Sequence, residues 1–171
     1  MYEVEEEAKK KVRCLLVLPQ WVHPQELKNL VETLDMEVAD IITLPEKNSS
    51  ASIARFGIGS GKAQEIAQLA EAQEADCIIF DTDITPTRQR NWETLAGIPV
   101  FDRQEVILRI FAQRARTKEA VLQVELAQLT YSLPRLAHSY GDMARQRGGS
   151  YGSKGAGETK LELDRRTIQN R

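Results

Sequence analysis

The sequence predicts an α/β fold: a small parallel sheet with flanking helices, followed by an antiparallel two-helix, coiled-coil-like hairpin with a Gly-rich basic loop. Three observations carry this expectation. Short apolar runs alternate with helix-patterned segments over residues 1–102, joined by short connections, as in right-handed strand–helix–strand crossovers. After Asp102 no strand pattern recurs. Leu122, Leu126, Leu129, Leu133 and Leu136 then follow at steps of four, three, four and three, the spacing of a narrow apolar seam on one helix. The division predicted is an α/β subdomain over 1–102 and a helical hairpin subdomain over 103–171, with the tip at about 145–157.

Taken in order, Arg13–Leu18 is a continuous apolar run closed by Pro19, which suits a strand buried on both faces. His23-Pro24 opens a helix, since proline early in a helix gives up an N–H that had no partner there. Leu27, Leu30, Val31 and Leu34 recur at helical spacing behind it. Glu37–Leu44 reads as the second strand, again closed by a proline, and 47–56 as a loop. Gly57–Lys62 leads into a helix carrying Ile66, Leu69 and Ala70. Asp76–Asp81 is the third strand. Thr85-Pro86 forms an N-cap and first turn for a helix with Trp92 and Leu95, closed by Gly97. Ile98–Asp102 is the fourth strand. Val106, Ile107, Ile110 and Phe111 share one helical face that links the sheet to the hairpin. Pro134 falls inside the leucine pattern, so a kink or a break is expected there. Thr159-Lys160-Leu161-Glu162 has the form of a capping box, and a second helix starting there could set Leu161 and Ile168 against the seam. The seam pairs either with that helix or with a second chain, and the short loop favours the intrachain hairpin.

The net charge of −2 hides an asymmetry. Residues 1–102 hold 10 Lys+Arg against 18 Asp+Glu, and residues 103–171 hold 13 against 7. A basic second half points to an anionic partner, although solvated helix faces give the same count. Cys14 and Cys77 lie in separate strand runs without a Cys-x-x-Cys or Cys/His cluster, so buried reduced thiols are expected and no structural metal. The acidic start has no apolar segment of a signal peptide, and no apolar run reaches the ~20 residues that span a bilayer. A cytoplasmic protein with no membrane partner is expected.

Gly59, Ser60, Gly61 and Lys62 precede a helix and invite a phosphate-binding reading, because such a loop exposes amides at a positive dipole end. The nucleotide pattern G-x-x-x-x-G-K-[ST] fails twice: Phe56 stands at the first glycine, and Ala63 after Lys62 offers no hydroxyl for magnesium. A tight turn is the preferred reading, with weak anion contact as the residual one. Asp81 and Asp83 flank the end of the third strand, where α/β proteins place ligands, but no nucleophile is arranged with them. His23 and His138 have no acidic or thiol neighbour at ligand spacing and form no catalytic or metal constellation.

The informative site is the tip. Gly148, Gly149, Gly152, Gly155 and Gly157 cannot pack a core, and they suit close approach to another backbone. Arg145, Arg147, Lys154 and Lys160 supply phosphate-seeking charge, and Tyr151 can stack on an exposed base. The alternative is a solvated hairpin loop, and spacing does not separate the two.

Several of these runs resemble one family. Asp102-Arg103, Ile107–Ile110, Phe111-Ala112-Gln113-Arg114-Ala115-Arg116-Thr117, Leu122–Leu129 with the sequence LQVELAQL, and Leu133-Pro134-Arg135-Leu136 are similar to the N-terminal region of the HflX family of translational GTPases. Gly148–Arg166, GGSYGSKGAGETKLELDRR, resembles it as well, as do the weaker signatures at Gly59–Ile66 and Thr85–Asn91. Lys154, Ala156 and Lys160 stand where the family usually has Arg, Pro and Gln. The resemblance implies an α/β subdomain, a helical hairpin and a separate GTP-binding domain that uses GTP and magnesium. It further implies binding of the large ribosomal subunit, subunit splitting and rescue of stalled ribosomes under stress, with the glycine-rich loop approaching rRNA. The chain stops at Arg171 before any Walker A, switch or guanine-reading motif, so the GTP-binding domain is expected to be absent from it. The chain is then a truncated piece or a naturally short relative, not catalytic alone, with the large subunit, its rRNA and the GTP-binding domain as partners. Two rival readings stand beside this one: a small α/β nucleotide- or ligand-binding domain with a dimerising hairpin, and a regulator that competes for the ribosome without hydrolysis.

Overall fold

The structure is a computed structural model that describes residues 10–45 and 55–146, with side chains as far as Leu136. It contains β1 (Arg13–Pro19), α1 (Gln25–Thr33), β2 (Glu37–Leu44), α2 (Ser60–Ala72), β3 (Cys77–Phe80), α3 (Pro86–Ala96), β4 (Val100–Asp102), α4 (Arg103–Arg114) and α5 (Lys118–Gln146). The strands form one parallel sheet in the order β2-β1-β3-β4. The sequence expectation of an α/β fold with a parallel sheet and flanking helices holds.

Residue alternation along β1 explains the layering. Leu15 and Val17 face α2 and α3, packing with Ala63, Ile66, Ile78, Phe80, Trp92 and Val100. Cys14, Leu16 and Leu18 face α1 and α4, packing with Leu27, Val31, Cys77, Ile79, Val106 and Ile110. A strand buried on both sides needs no polar face, hence the unbroken apolar run. Both thiols are buried, and burial pushes Cys14 up to about 11 and Cys77 up to about 12.

Local chemistry sets the joints. Thr85 Oγ1 accepts the Arg88 N–H at 3.3 Å, and Pro86 follows it as the first residue of α3. Gly97 ends that helix at φ 69°, its N–H donating to Glu93 O at 2.9 Å. A Cβ built on Gly97 meets no atom within 4 Å, so only the backbone resists substitution. Gly97→Ala is therefore expected to cost about 1–2 kcal/mol, read as a lower urea midpoint with an unchanged slope.

The β4 edge is closed by α3. Gln89 Nε2 donates to Val100 O at 2.7 Å, and the Val100 N–H donates to Glu93 Oε1 at 3.2 Å. Beyond that edge lies α5, which packs on α4 from one layer and on α3 from the other. Only Ala115–Thr117 joins α4 to α5, yet Tyr131 reaches back to Asp102 at the start of α4. The two helices thus run antiparallel as a hairpin.

The pairing anticipated between the leucine seam and a helix from Thr159 lies outside the described residues. At Pro134 the helix is not broken: α5 runs uninterrupted through it. Proline removes one backbone bond there, and the side chains on either side, Tyr131 and Arg135, are tied to the body and hold the turn.

Candidate functional site

Asp102 is the last residue of β4 and the N-cap of α4, so the sheet ends by aiming a carboxylate at a helix start. It is 2% exposed and is the only buried charged residue among those described. A buried carboxylate must have its lone pairs filled, and here several donors fill them. Oδ1 accepts the Glu105 N–H at 3.0 Å and the Tyr131 hydroxyl at 2.7 Å. Oδ2 accepts the Ile84 N–H at 3.2 Å and lies 3.5 Å from Arg135 Nη2. Burial first, and then the bond to Asp102, hold the Tyr131 phenol well above its ordinary pKa.

Arg135 completes the cluster. Its Nε donates to Gln89 Oε1 at 2.7 Å, its Nη2 to Ile84 O at 2.8 Å and its Nη1 to Tyr131 O at 3.1 Å. The guanidinium carbon sits 3.6 Å from the Tyr131 ring centroid. One planar fork therefore joins α5 to the β3–α3 loop, to α3 and to the end of β4. The next residue after Asp102 reaches the other way: Arg103 pairs with Asp81 at 3.1 Å and with Glu26 of α1.

The other candidates fall as follows. Gly57 holds the positive φ of the turn, 81°, while Gly59 is extended at φ −60° and ψ 146° and serves as the N-cap of α2 without a side-chain cap. Lys62 pairs with Glu65 at 3.0 Å, one turn on. Phe56 is buried, and its carbonyl accepts the Trp92 indole N–H at 3.0 Å. A ring in the core thus occupies the position of the first glycine of a nucleotide loop, and the donor set does not fit a nucleotide with magnesium. Asp81 is engaged by Arg103, whereas Asp83 is exposed. His23 Nδ1 accepts the Gln25 N–H at 3.3 Å. Among the described residues no cluster of His, Cys, Asp and Glu could hold a metal, and no helix is long and apolar enough to cross a membrane.

Of the tip residues, Arg145 lies on α5 as backbone only, and Arg147, Gly148, Gly149, Tyr151, Gly152, Lys154, Gly155, Gly157 and Lys160 lie outside the described residues. The side chain of His138 is likewise not described.

Sequence reasoning missed the Asp102–Tyr131–Arg135 cluster. One half was legible, because Asp102 and Glu105 have the spacing of a capping box. The other half was not. At 100° per residue, Tyr131 and Arg135 lie on the side of α5 opposite the leucine seam, outside its apolar periodicity. The seam turns outward: Leu122, Leu126 and Leu136 are exposed, Leu126 by 67%.

Comparison with known proteins places these features. The family described as "GTP-binding GTPase N-terminal" matches residues 22–112, and "GTP-binding GTPase Middle Region" matches 114–171. A GTPase HflX of Caldanaerobacter subterraneus subsp. tengcongensis is 44% identical over 98% of this chain and 40% of its own length. GTPase HflX of Escherichia coli K12 is 44% identical over 86% of this chain and 34% of its own. A crystal structure of a GTP-binding protein from Sulfolobus solfataricus in complex with GDP is similar over 93% of this chain and 43% of that one, with a TM-score of 0.64 and 25% identity. The chain thus spans between about a third and about two fifths of the length of these relatives.

Proposed function

The chain belongs to the HflX family of GTPases, spanning its N-terminal and middle regions, and from that premise we propose that it is the family's rRNA-binding part. In this reading α5 is an arm, and the basic glycine segment at its far end contacts large-subunit RNA. GTP and magnesium are bound by the GTPase domain with which this chain acts. Subunit splitting and rescue of stalled ribosomes in the cytoplasm are the work of the two together.

One observation carries the reading: a segment rich in glycine, arginine and lysine follows a long helix that Arg135 hydrogen-bonds to the α/β body. The α/β half is acidic and the half containing the arm basic, so the field favours approach of RNA from the arm's side. Glycines let the main chain lie close to a sugar–phosphate backbone, and arginines add bidentate phosphate contacts.

Sedimentation of the chain with large subunits across a salt series tests this. Affinity is expected to fall steeply with salt as counterions are released. Replacing Arg145, Arg147 and Lys154 together with alanine is expected to reduce the log–log salt slope by about three, one for each lost phosphate contact. An unchanged slope and affinity in that variant would refute the reading.

A further inference from the structure

We infer that Arg135 is a positioning residue that sets the direction in which α5 leaves the α/β body, and so where the arm's end is presented. This deepens the rRNA-binding reading above and rests on it for the purpose of the arm. Arg135 ties α5 to the body by direct hydrogen bonds to Gln89 Oε1 and the Ile84 carbonyl. Beyond it the helix continues to Gln146, about 17 Å of further rise at 1.5 Å per residue. A swing of about 20° at Arg135 would displace that end by about 6 Å, enough to miss a docking surface.

The contacts suit this role better than they suit simple cohesion. Fixing the orientation of a rod requires attachment points that do not lie on one line. Arg135 supplies three, to the Ile84 carbonyl in the β3–α3 loop, to Gln89 on α3 and to Asp102 at the end of β4. The Tyr131 ring on its face and the Tyr131 carbonyl on Nη1 hold the guanidinium plane relative to α5 itself. Lysine has the charge but not the fork, so it cannot hold all three at once. Packing between α4 and α5 alone would allow the helices to roll on one another. The fork removes that freedom.

The direct measurement is the distance between spin labels on Lys28→Cys in α1 and Ala144→Cys near the end of α5, in the 171-residue chain. Cys14 and Cys77 need no replacement, because they are buried and their thiols stay protonated at neutral pH. The parent is expected to give one narrow distance distribution. Arg135→Met and Arg135→Lys should each broaden it roughly twofold, as a two-state joint loosens, and Tyr131→Phe, which removes only one hydroxyl, should broaden it less. Ile66→Val, a core change on α2 that removes none of the hydrogen bonds at Arg135, is expected to lower stability and leave the width unchanged. Equal widths in the Arg135→Met and parent chains, or equal broadening by Ile66→Val, would overturn the assignment. If Arg135→Met does not fold, Arg135→Lys and Tyr131→Phe decide by the same widths. Binding to large subunits is read separately. Arg135→Met should weaken it roughly tenfold if the correct direction is occupied about a tenth of the time. Should the parent bind no subunits while the width doubles, the RNA reading fails and the positioning role stands.

Discussion

Replacing Asp102 with alanine is expected to lower stability by about 3–5 kcal/mol, more than any other single polar substitution among the described residues. Three losses combine. The α4 cap goes, which by itself costs about 1–2 kcal/mol. The Tyr131 hydroxyl and the Ile84 N–H lose their acceptor in a site closed to water, at about 1–3 kcal/mol for each stranded group. The Arg135 guanidinium keeps its carbonyl partners but loses its counter-charge. These terms overlap, so they do not simply add. Urea unfolding followed by far-UV circular dichroism gives the total. Asp102→Asn retains the cap oxygen but brings an amide group to a site filled by donors, and should cost about 1–2 kcal/mol. A loss below about 1 kcal/mol for Asp102→Ala would mean that the network adds nothing beyond a helix cap.

Trp92→Ala is expected to have an effect of similar size for a different reason. Trp92 is fully buried on α3, with its ring centroid 4.9 Å from Phe80 and 5.2 Å from Phe56. Removing a buried aromatic ring costs about 3–5 kcal/mol through lost transfer energy and the cavity left behind. The Phe56 carbonyl also loses the indole N–H that anchors the turn before α2. Trp92→Phe fills most of the space without the N–H, and should cost about 1–2 kcal/mol. The difference between the two variants in urea isolates packing from hydrogen bonding. Equal losses would show that the anchor to the turn, rather than the volume, dominates.

Much of the fold was readable from the chain because its strands and helices differ in period. Leu15 and Val17 against Cys14, Leu16 and Leu18 sort onto two faces by alternation alone, and unbroken hydrophobicity says that both faces are covered. Thr85-Pro86 and Gly97 mark the ends of α3 through chemistry confined to one turn. The leucine spacing predicts a long helix but not its orientation. A heptad-like seam predicts a helical partner, from Thr159 onward or from a second chain, and does not say that α5 packs on the body through Tyr131 and Arg135 with Leu122, Leu126 and Leu136 exposed. Likewise, the Gly57–Lys62 run is only partly legible, because the burial of Phe56 under Trp92 depends on a helix 36 residues away.

The sequence by itself determined the parallel α/β class, the order of its elements, the capped ends of α3, and the basic, glycine-rich continuation of the arm. Those features follow from local periodicity, turn chemistry and composition, which neighbouring residues fix among themselves. Only the tertiary structure decided which face of α5 meets the body, and that Arg135, Tyr131 and Asp102 converge. The bonds that tie α5 into this cluster join positions 29 to 51 residues apart, and nothing local in a sequence states that such residues will meet.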